Sequence, residues 1–312
     1  GCAESVGRPQ PSDAQTTSDR RGVGNESLVL ATTTSPYDTG LLDSINPVFQ
    51  ESFGIQVETI SQGTGAAIQT ARDGDADIIL VHARGAEDQF ISDGMGVNRR
   101  DVMFNDFVVI GPEKDPAGIN GVGSVTQAFE RVARTHATFL SRGDDSGTNK
   151  RELSIWETAD VSPRGAWYQE TGQGMGATLN QANQVAGYTL TDRGTYLSQA
   201  DKLDLTIHVQ GPLKGGPAIL LNPYGIIPVN PAVHNNLNYQ AAMAYVGFLT
   251  SPGGQMAIGE YTANGQQLFF PNALATDPQF DQYVPRGYNS SVESTRRAQH
   301  RQWITTAVPH DS

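Results

Sequence analysis

Between residues 27 and 186 short apolar runs alternate with stretches of helical periodicity, and few folds accept that order. Residues 28–31, 55–60, 77–81, 107–110 and 137–140 have the length and apolar content of buried strands. Residues 40–53, 65–72, 86–92, 124–134, 146–159 and 178–186 carry the spacing of helices. Strand–helix alternation predicts an α/β fold with parallel-type sheets flanked by helices. In such sheets ligands sit beyond the carboxyl ends of the strands, where the following turn opens a helix. Later segments, 238–249 and 255–261, also read as helices, and no internal repeat is visible.

Four turns are rich in hydrogen-bond donors, three of them directly after an expected strand. Thr32-Thr33-Thr34-Ser35 follows the first strand, and Gln62-Gly63-Thr64-Gly65-Ala66 follows the second. Ser141-Arg142-Gly143-Asp144-Asp145-Ser146-Gly147-Thr148 opens the helix 146–159, and Gly172-Gln173-Gly174-Met175-Gly176 precedes the helix 178–186. A helix start presents unpaired N–H groups and a partial positive charge, so it suits an anion. Hydroxyls add donors, and Arg142 adds a forked permanent charge. Together they suggest a small-oxyanion pocket. The glycine-rich turn at 172–176 follows Trp167-Tyr168-Gln169-Glu170, a poor strand candidate, which argues against a dinucleotide loop. Asp144 and Asp145 are adjacent, a poor arrangement for paired-carboxylate catalysis; Asp145 suits a helix N-cap and Asp144 suits holding Arg142. The six histidines lack metal-site spacing, His82 follows a strand and borders the expected cleft, and no G-x-S-x-G elbow occurs. The Trp and Tyr residues between 156 and 196 read as packing groups. The expectation is a binding protein, not an enzyme, with no metal and no cofactor.

The chain carries 33 Asp plus Glu against 21 Lys plus Arg, a net charge of −12, which disfavours nucleic acid as a partner. It also opposes anion capture at long range, so the pocket has to rely on local donors. Dispersed Asp with four Lys resembles halophilic composition, where salt screens the self-repulsion. No run reaches the roughly 18 apolar residues of a membrane span. Cys2 heads a Ser/Thr/Asp/Gln-rich stretch and reads as a lipidation site on a flexible tether covering 1–26. One lobe is expected over 27–107, with 218–271 returning to it, and a second over 108–217; 272–312 is a polar C-terminal extension.

In order along 27–271, the chain resembles the substrate-binding proteins of tungstate ABC importers. The resemblance rests on Thr32–Ser35, on Ala76-Asp77-Ile78-Ile79-Leu80-Val81-His82, on Asn105-Asp106-Phe107-Val108-Val109-Ile110-Gly111-Pro112 and on the Arg142 turn. It continues through Gly172–Gly176, Tyr188-Thr189-Leu190-Thr191-Asp192-Arg193-Gly194-Thr195-Tyr196 and Asn222-Pro223-Tyr224-Gly225. It implies a two-lobed periplasmic-binding-protein fold of type II that closes on its ligand by hinge motion. It further implies an extracytoplasmic monomer that delivers tungstate, or alternatively molybdate, sulfate or phosphate, to a membrane permease. Carried over residue by residue, the ligand donors are Thr33, Thr34 and Ser35 (which hydroxyl points inward stays open), Thr64, Gly65 and Ala66 from one lobe. Arg142, Ser146, Gly147 and Thr148 come from the other, with Gly174, Met175 and Gly176 nearby. The Arg142–Thr148 pattern also resembles phosphate binders, which read the proton of their ligand with a carboxylate acceptor. Where that acceptor stands in them, just after Val81, this chain has His82-Ala83-Arg84, which favours a dianion without a proton. The direction of Asp144 is the deciding observation.

Overall fold

The computed structural model describes residues 26–273. Cys2, the expected tether apart from Glu26, and the expected extension beyond residue 273 lie outside the described residues. Nine strands carry the architecture: β1 (Glu26–Thr32), β2 (Ile55–Ser61), β3 (Ile78–Val81), β4 (Arg100–Pro112), β5 (Phe139–Ser141), β6 (Tyr168–Glu170), β7 (Tyr188–Asp192), β8 (Leu205–Val209) and β9 (Leu221–Pro228). The helices are α1 (Thr34–Asp38), α2 (Leu41–Phe53), α3 (Thr64–Arg72), α4 (Arg84–Ser92), α5 (Val125–Thr135), α6 (Gly147–Thr158), α7 (Met175–Val185), α8 (Arg193–Gln199), α9 (Tyr239–Thr250) and α10 (Pro252–Glu260).

Strands follow one path, β2-β1-β3-β9-β4-β7-β5-β6, with β8 and the short strand Phe270–Pro271 pairing to β4 off that path. β1 pairs in parallel with β2 and β3, and β5 in parallel with β6 and β7. The long strand β4 joins the two groups. Its residues 100–106 pair antiparallel with β9, and its residues 107–112 pair antiparallel with β7 and β8. The sheets are therefore mixed, not wholly parallel as the alternation suggests. Strand–helix units lay neighbours side by side in one direction, but β4 and β9 reach their neighbours without a helical crossover of that kind and run against them.

Each sheet is covered on both faces, which is why its strands read as near-continuous apolar runs. On the β1–β3 side, Leu28, Leu30, Ile78 and Leu80 pack with α2, α9 and α10 residues such as Phe49, Tyr245 and Ile258. Ala31, Ile79 and Val81 pack the other way, against Ala67, Ala71 and Phe90 of α3 and α4. The second sheet repeats the plan, with Phe129 and Trp156 on one face and Met175 and Leu179 on the other. The aromatic residues Trp156, Trp167 and Tyr168 pack among Phe129 and Phe139, as the sequence reading expects.

Two local expectations are corrected. Residues 168–170 do form a strand, β6, parallel to β5. It tolerates polar side chains because it lies at the edge of the sheet, with Gln169 and Glu170 exposed. The N-cap of α6 is Ser146, whose Oγ accepts from the Asn149 N–H at 3.2 Å, and not Asp145. Asp145 has a left-handed φ of 56° and pairs instead with Lys150.

Between the sheets, Asp106 is the last β4 residue paired with β9. It receives a two-pronged buried contact from Arg193, Nε to Oδ1 at 2.6 Å and an Nη to Oδ2 at 2.9 Å. Its Oδ2 also accepts from the Leu213 N–H at 3.0 Å. The strand crossing is thereby tied to the start of α8 and to the turn before β9.

Candidate oxyanion site

Parallel pairing sets the carboxyl ends of β1, β2 and β3 side by side, with Thr32 opposite Ser61 and Leu80. The next residues in each case, Thr33–Thr34, Gly63–Thr64 and His82, therefore emerge at one edge. On the other sheet, β5 and β6 run in register to Ser141 and Glu170 and release the Arg142 and Gly172 turns together. The Gly172 N–H donates to the Arg142 carbonyl at 2.8 Å.

These two edges meet. The Gly147 N–H of α6 donates to Thr64 Oγ1 at 2.9 Å, and the Ser35 hydroxyl donates to Asp192 Oδ2 at 2.8 Å. A Cβ on Gly63 would lie 2.9 Å from the Asp144 carbonyl oxygen, and one on Gly174 would lie 3.6 Å from Thr34 Cγ2. The lobes are thus in contact through the predicted turns, in a closed arrangement. All four turns are brought together.

The buried polar atoms at this junction are unevenly satisfied. Thr33 Oγ1, Thr34 Oγ1 and Thr148 Oγ1 are each sealed from solvent without a hydrogen-bond partner. Thr33 stands at the N-cap of α1 yet its hydroxyl does not cap it. An unpaired buried hydroxyl costs about 1–3 kcal/mol and is rare in native structures. Three of them, from both lobes, call for an acceptor with several oxygens. The helix starts agree: α3 and α7 begin at Gly63 and Gly174 without any side-chain cap, leaving first-turn N–H groups for a ligand.

Arg142 is 2 % exposed. One Nη donates to Asp144 Oδ2 at 2.5 Å and its Nε to the Gln173 carbonyl at 3.3 Å. Asp144 Oδ1 accepts from the Ser146 N–H at 3.2 Å. Both carboxylate oxygens of Asp144 are thus bonded within its own turn, where the residue holds the guanidinium. The turn is braced from below. Ser141 Oγ donates to Glu152 Oε2 at 2.7 Å and accepts from the Gly143 N–H at 3.2 Å. Glu152 Oε1 receives Trp156 Nε1 at 3.0 Å and the Tyr168 hydroxyl at 2.8 Å. Burial pushes the Glu152 carboxyl up to about 7, against the pull of these donors.

Not every expected residue presents a side chain here. The Ser35 hydroxyl is committed to Asp192, and the Met175 side chain lies in the core with Val108, Leu140 and Leu179. Either residue would serve a ligand through its backbone N–H. Gly65 and Ala66 lie in the first turn of α3, and Gly176 in that of α7, its Cα facing Gln199. Thr64 Oγ1 is engaged with Gly147 and keeps its own proton to give.

The sequence reading missed a buried polar chain behind the site. His82 Nδ1 meets Asn222 Oδ1 at 2.7 Å, Asn222 Nδ2 donates to Asn105 Oδ1 at 2.7 Å, and Asn105 Nδ2 donates to Asp192 Oδ1 at 3.4 Å. The amides stand opposite each other on β4 and β9; that register has no signal in a single sequence. Among the described residues no group of three or more His, Cys, Asp or Glu is placed to hold a metal, and no helix is long and apolar enough to cross a membrane.

Comparison with known proteins identifies the family. Residues 9–252 match the model of the PBP superfamily domain. A Haloferax volcanii protein, provisionally named an ABC transporter anion-binding protein, is 62 % identical over 100 % of this chain and 94 % of its own length. The tungstate-binding protein TupA of Peptoclostridium acidaminophilum is 42 % identical over 79 % of this chain and 86 % of its own. The crystal structure of the tungstate ABC transporter from Geobacter sulfurreducens superposes with a TM-score of 0.68 at 46 % identity, covering 76 % of this chain and 99 % of that one.

Proposed function

The chain belongs to the PBP superfamily, and within it to the substrate-binding proteins of tungstate ABC transporters; from that premise we propose that it captures tungstate between its lobes and delivers it to a membrane permease. The observation that carries this is the trio of buried, partnerless hydroxyls on Thr33, Thr34 and Thr148, on turns that meet with the one carrying the buried Arg142 guanidinium. Neutral donors dominate, so a dianion is stabilised without a full counter-charge on each oxygen. Asp144 is turned onto Arg142 and Ser146, which supports a ligand without a proton over monohydrogen phosphate. The other site residues proposed are Thr64, Ser146, Gly147, the N–H groups of Ser35, Gly65 and Ala66, and those of Gly174, Met175 and Gly176. Binding uses no metal and no cofactor. The protein works outside the cytoplasm, as a monomer, with the polar stretch 1–26 as its tether and Cys2 as the lipid-bearing residue. Mass analysis of the membrane-associated form would settle the last point.

The test is a panel of tungstate, molybdate, sulfate and phosphate read by calorimetry and thermal melting. At a hundred times its Kd, a ligand adds about 2.7 kcal/mol, or about 5–10 °C in Tm for a chain of this size. Tungstate is expected to give such a rise and Arg142→Ala to remove it. Stabilisation by phosphate with none by tungstate would refute the assignment.

A further inference from the structure

One atom at the lobe junction runs against the donor-rich character of the site: the Nε2 of His82. The residue emerges from the end of β3 and is buried. Its ring stacks on Tyr224, with centroids 4.8 Å apart and planes at 23°. The first residue of α6 lies against it from the other lobe, since a Cβ on Gly147 would stand 2.6 Å from Cε1 and 2.8 Å from each ring nitrogen. The amide chain behind it has a direction. Asp192 Oδ1 accepts from Asn105, Asn105 accepts from Asn222, and this leaves Asn222 Oδ1 as an acceptor. His82 Nδ1 therefore carries the proton. In the neutral ring Nε2 is then a bare lone pair, sealed from solvent and without a partner. An acceptor of this kind beside a cage for a proton-free dianion repels the ligand unless it takes up a proton.

We infer that His82 is a proton-linked ligand group: when the dianion enters, Nε2 takes one proton from solvent and the resulting imidazolium donates Nε2–H toward the bound oxyanion. This rests on the receptor assignment above. The charge balance is simple, with two negative charges entering and one proton following, which brings the buried site closer to neutrality. Asn222 Oδ1 stays an acceptor in both states, so the amide chain need not rearrange. Other charged groups face the ring: Arg142 and Arg151 hold its affinity for a proton down, Asp192 raises it, and Tyr224 packs on it. Burial is the largest influence and holds the free imidazole down to about 4. The free protein thus has a neutral His82 at physiological pH. A dianion opposes both the burial cost and the two arginines, and so raises the proton affinity of the ring. Binding should then strengthen by up to about tenfold per pH unit as pH falls through the ligand-bound pKa, and level off below the free value.

The experiment is calorimetric titration with sodium tungstate in buffers of different ionisation enthalpy, between about pH 6.5 and 8.5, on the wild type, His82→Gln and Glu152→Gln. Nitrogen NMR of the His82 imidazole in the free and tungstate-bound wild type reads the same event without a variant. Glu152 is included because its raised carboxyl is the other group near the site able to take a proton in this range. Expected are an uptake approaching one proton per tungstate in the wild type, its persistence in Glu152→Gln, its loss in His82→Gln, and protonation of Nε2 only in the bound state. Tungstate binding in the wild type without proton uptake, or uptake lost in Glu152→Gln and kept in His82→Gln, overturns the inference while leaving the receptor assignment standing. No tungstate binding at all overturns both.

Discussion

Replacing Gly147 with alanine adds a single methyl group where the His82 ring of one lobe meets the backbone of the other. Gly147 adopts no left-handed φ, so its conformation accepts a side chain. An alanine at this first helical position would not disfavour the helix. The conflict lies across the cleft, 2.6 Å from His82 Cε1 and 2.8 Å from Nδ1 and Nε2. Relief to ordinary contact needs a retreat of roughly 0.8 Å. The ring cannot give, being held by Asn222 at 2.7 Å and by its stack on Tyr224. Overpacking of this size costs about 1–3 kcal/mol, and the free protein escapes it by parting the lobes. Affinity for tungstate should therefore fall about fivefold to a hundredfold, with the Tm of the ligand-free protein unchanged or slightly raised. Gly65→Ala is the control. Its Cβ would come to 2.0 Å from Asp145 Oδ2, a closer approach on paper. That carboxylate, however, is 67 % exposed and held by a surface pair with Lys150, which yields at little cost, so the effect should stay within about 0.5 kcal/mol. Titration of the two variants side by side decides the matter. Wild-type affinity in Gly147→Ala, or a larger loss in Gly65→Ala, refutes the reasoning that the closed lobes press on His82.

Thr148→Val keeps the shape and deletes a hydroxyl that has no partner. The free protein should melt at the same temperature or higher, while tungstate affinity drops about tenfold to a hundredfold, the worth of a hydrogen bond to a charged group. Asp106→Asn leaves Arg193 buried beside a neutral amide and should destabilise folding by about 3–5 kcal/mol in denaturant melts. For Glu152, the carboxyl ionises near its ordinary value in the unfolded chain but only near 7 in the fold. Between those values the folded state holds the extra proton, so this group's contribution to stability falls as pH rises and is flat above about 7. Glu152→Gln should flatten that slope, of a few kcal/mol at most, in melts taken across the same pH range.

Much of the site was legible because its parts are local. A Thr-Thr-Thr-Ser run after an apolar strand, a glycine-flanked Thr64 and an Arg142 turn ahead of a helix each announce donors through residue type and position alone. Tertiary structure divided the labour among them. It turned Ser35 to Asp192, put the Met175 side chain in the core, bound both oxygens of Asp144 within its own turn, and left Thr33, Thr34 and Thr148 without partners. Side-chain direction depends on which strand lies opposite, and sequence spacing does not encode it.

Strand and helix identities within each lobe followed from apolar period, because burying one face is a local requirement repeated every two or three to four residues. The long β4 crossing, the polar edge strand β6 and the Asp192–Asn105–Asn222–His82 chain did not. The polar chain and the β4–β9 pairing arise where segments more than eighty residues apart come into register, and β6 depends on its place at the sheet edge beside β5. Apart from His82 Nε2, the polar atoms of that chain are satisfied by each other, and no residue in it specifies the partnership on its own. The sequence determined that this protein carries donors for a small anion at its helix starts. Only the fold decided which of those donors remain open, and that a neutral histidine stands among them.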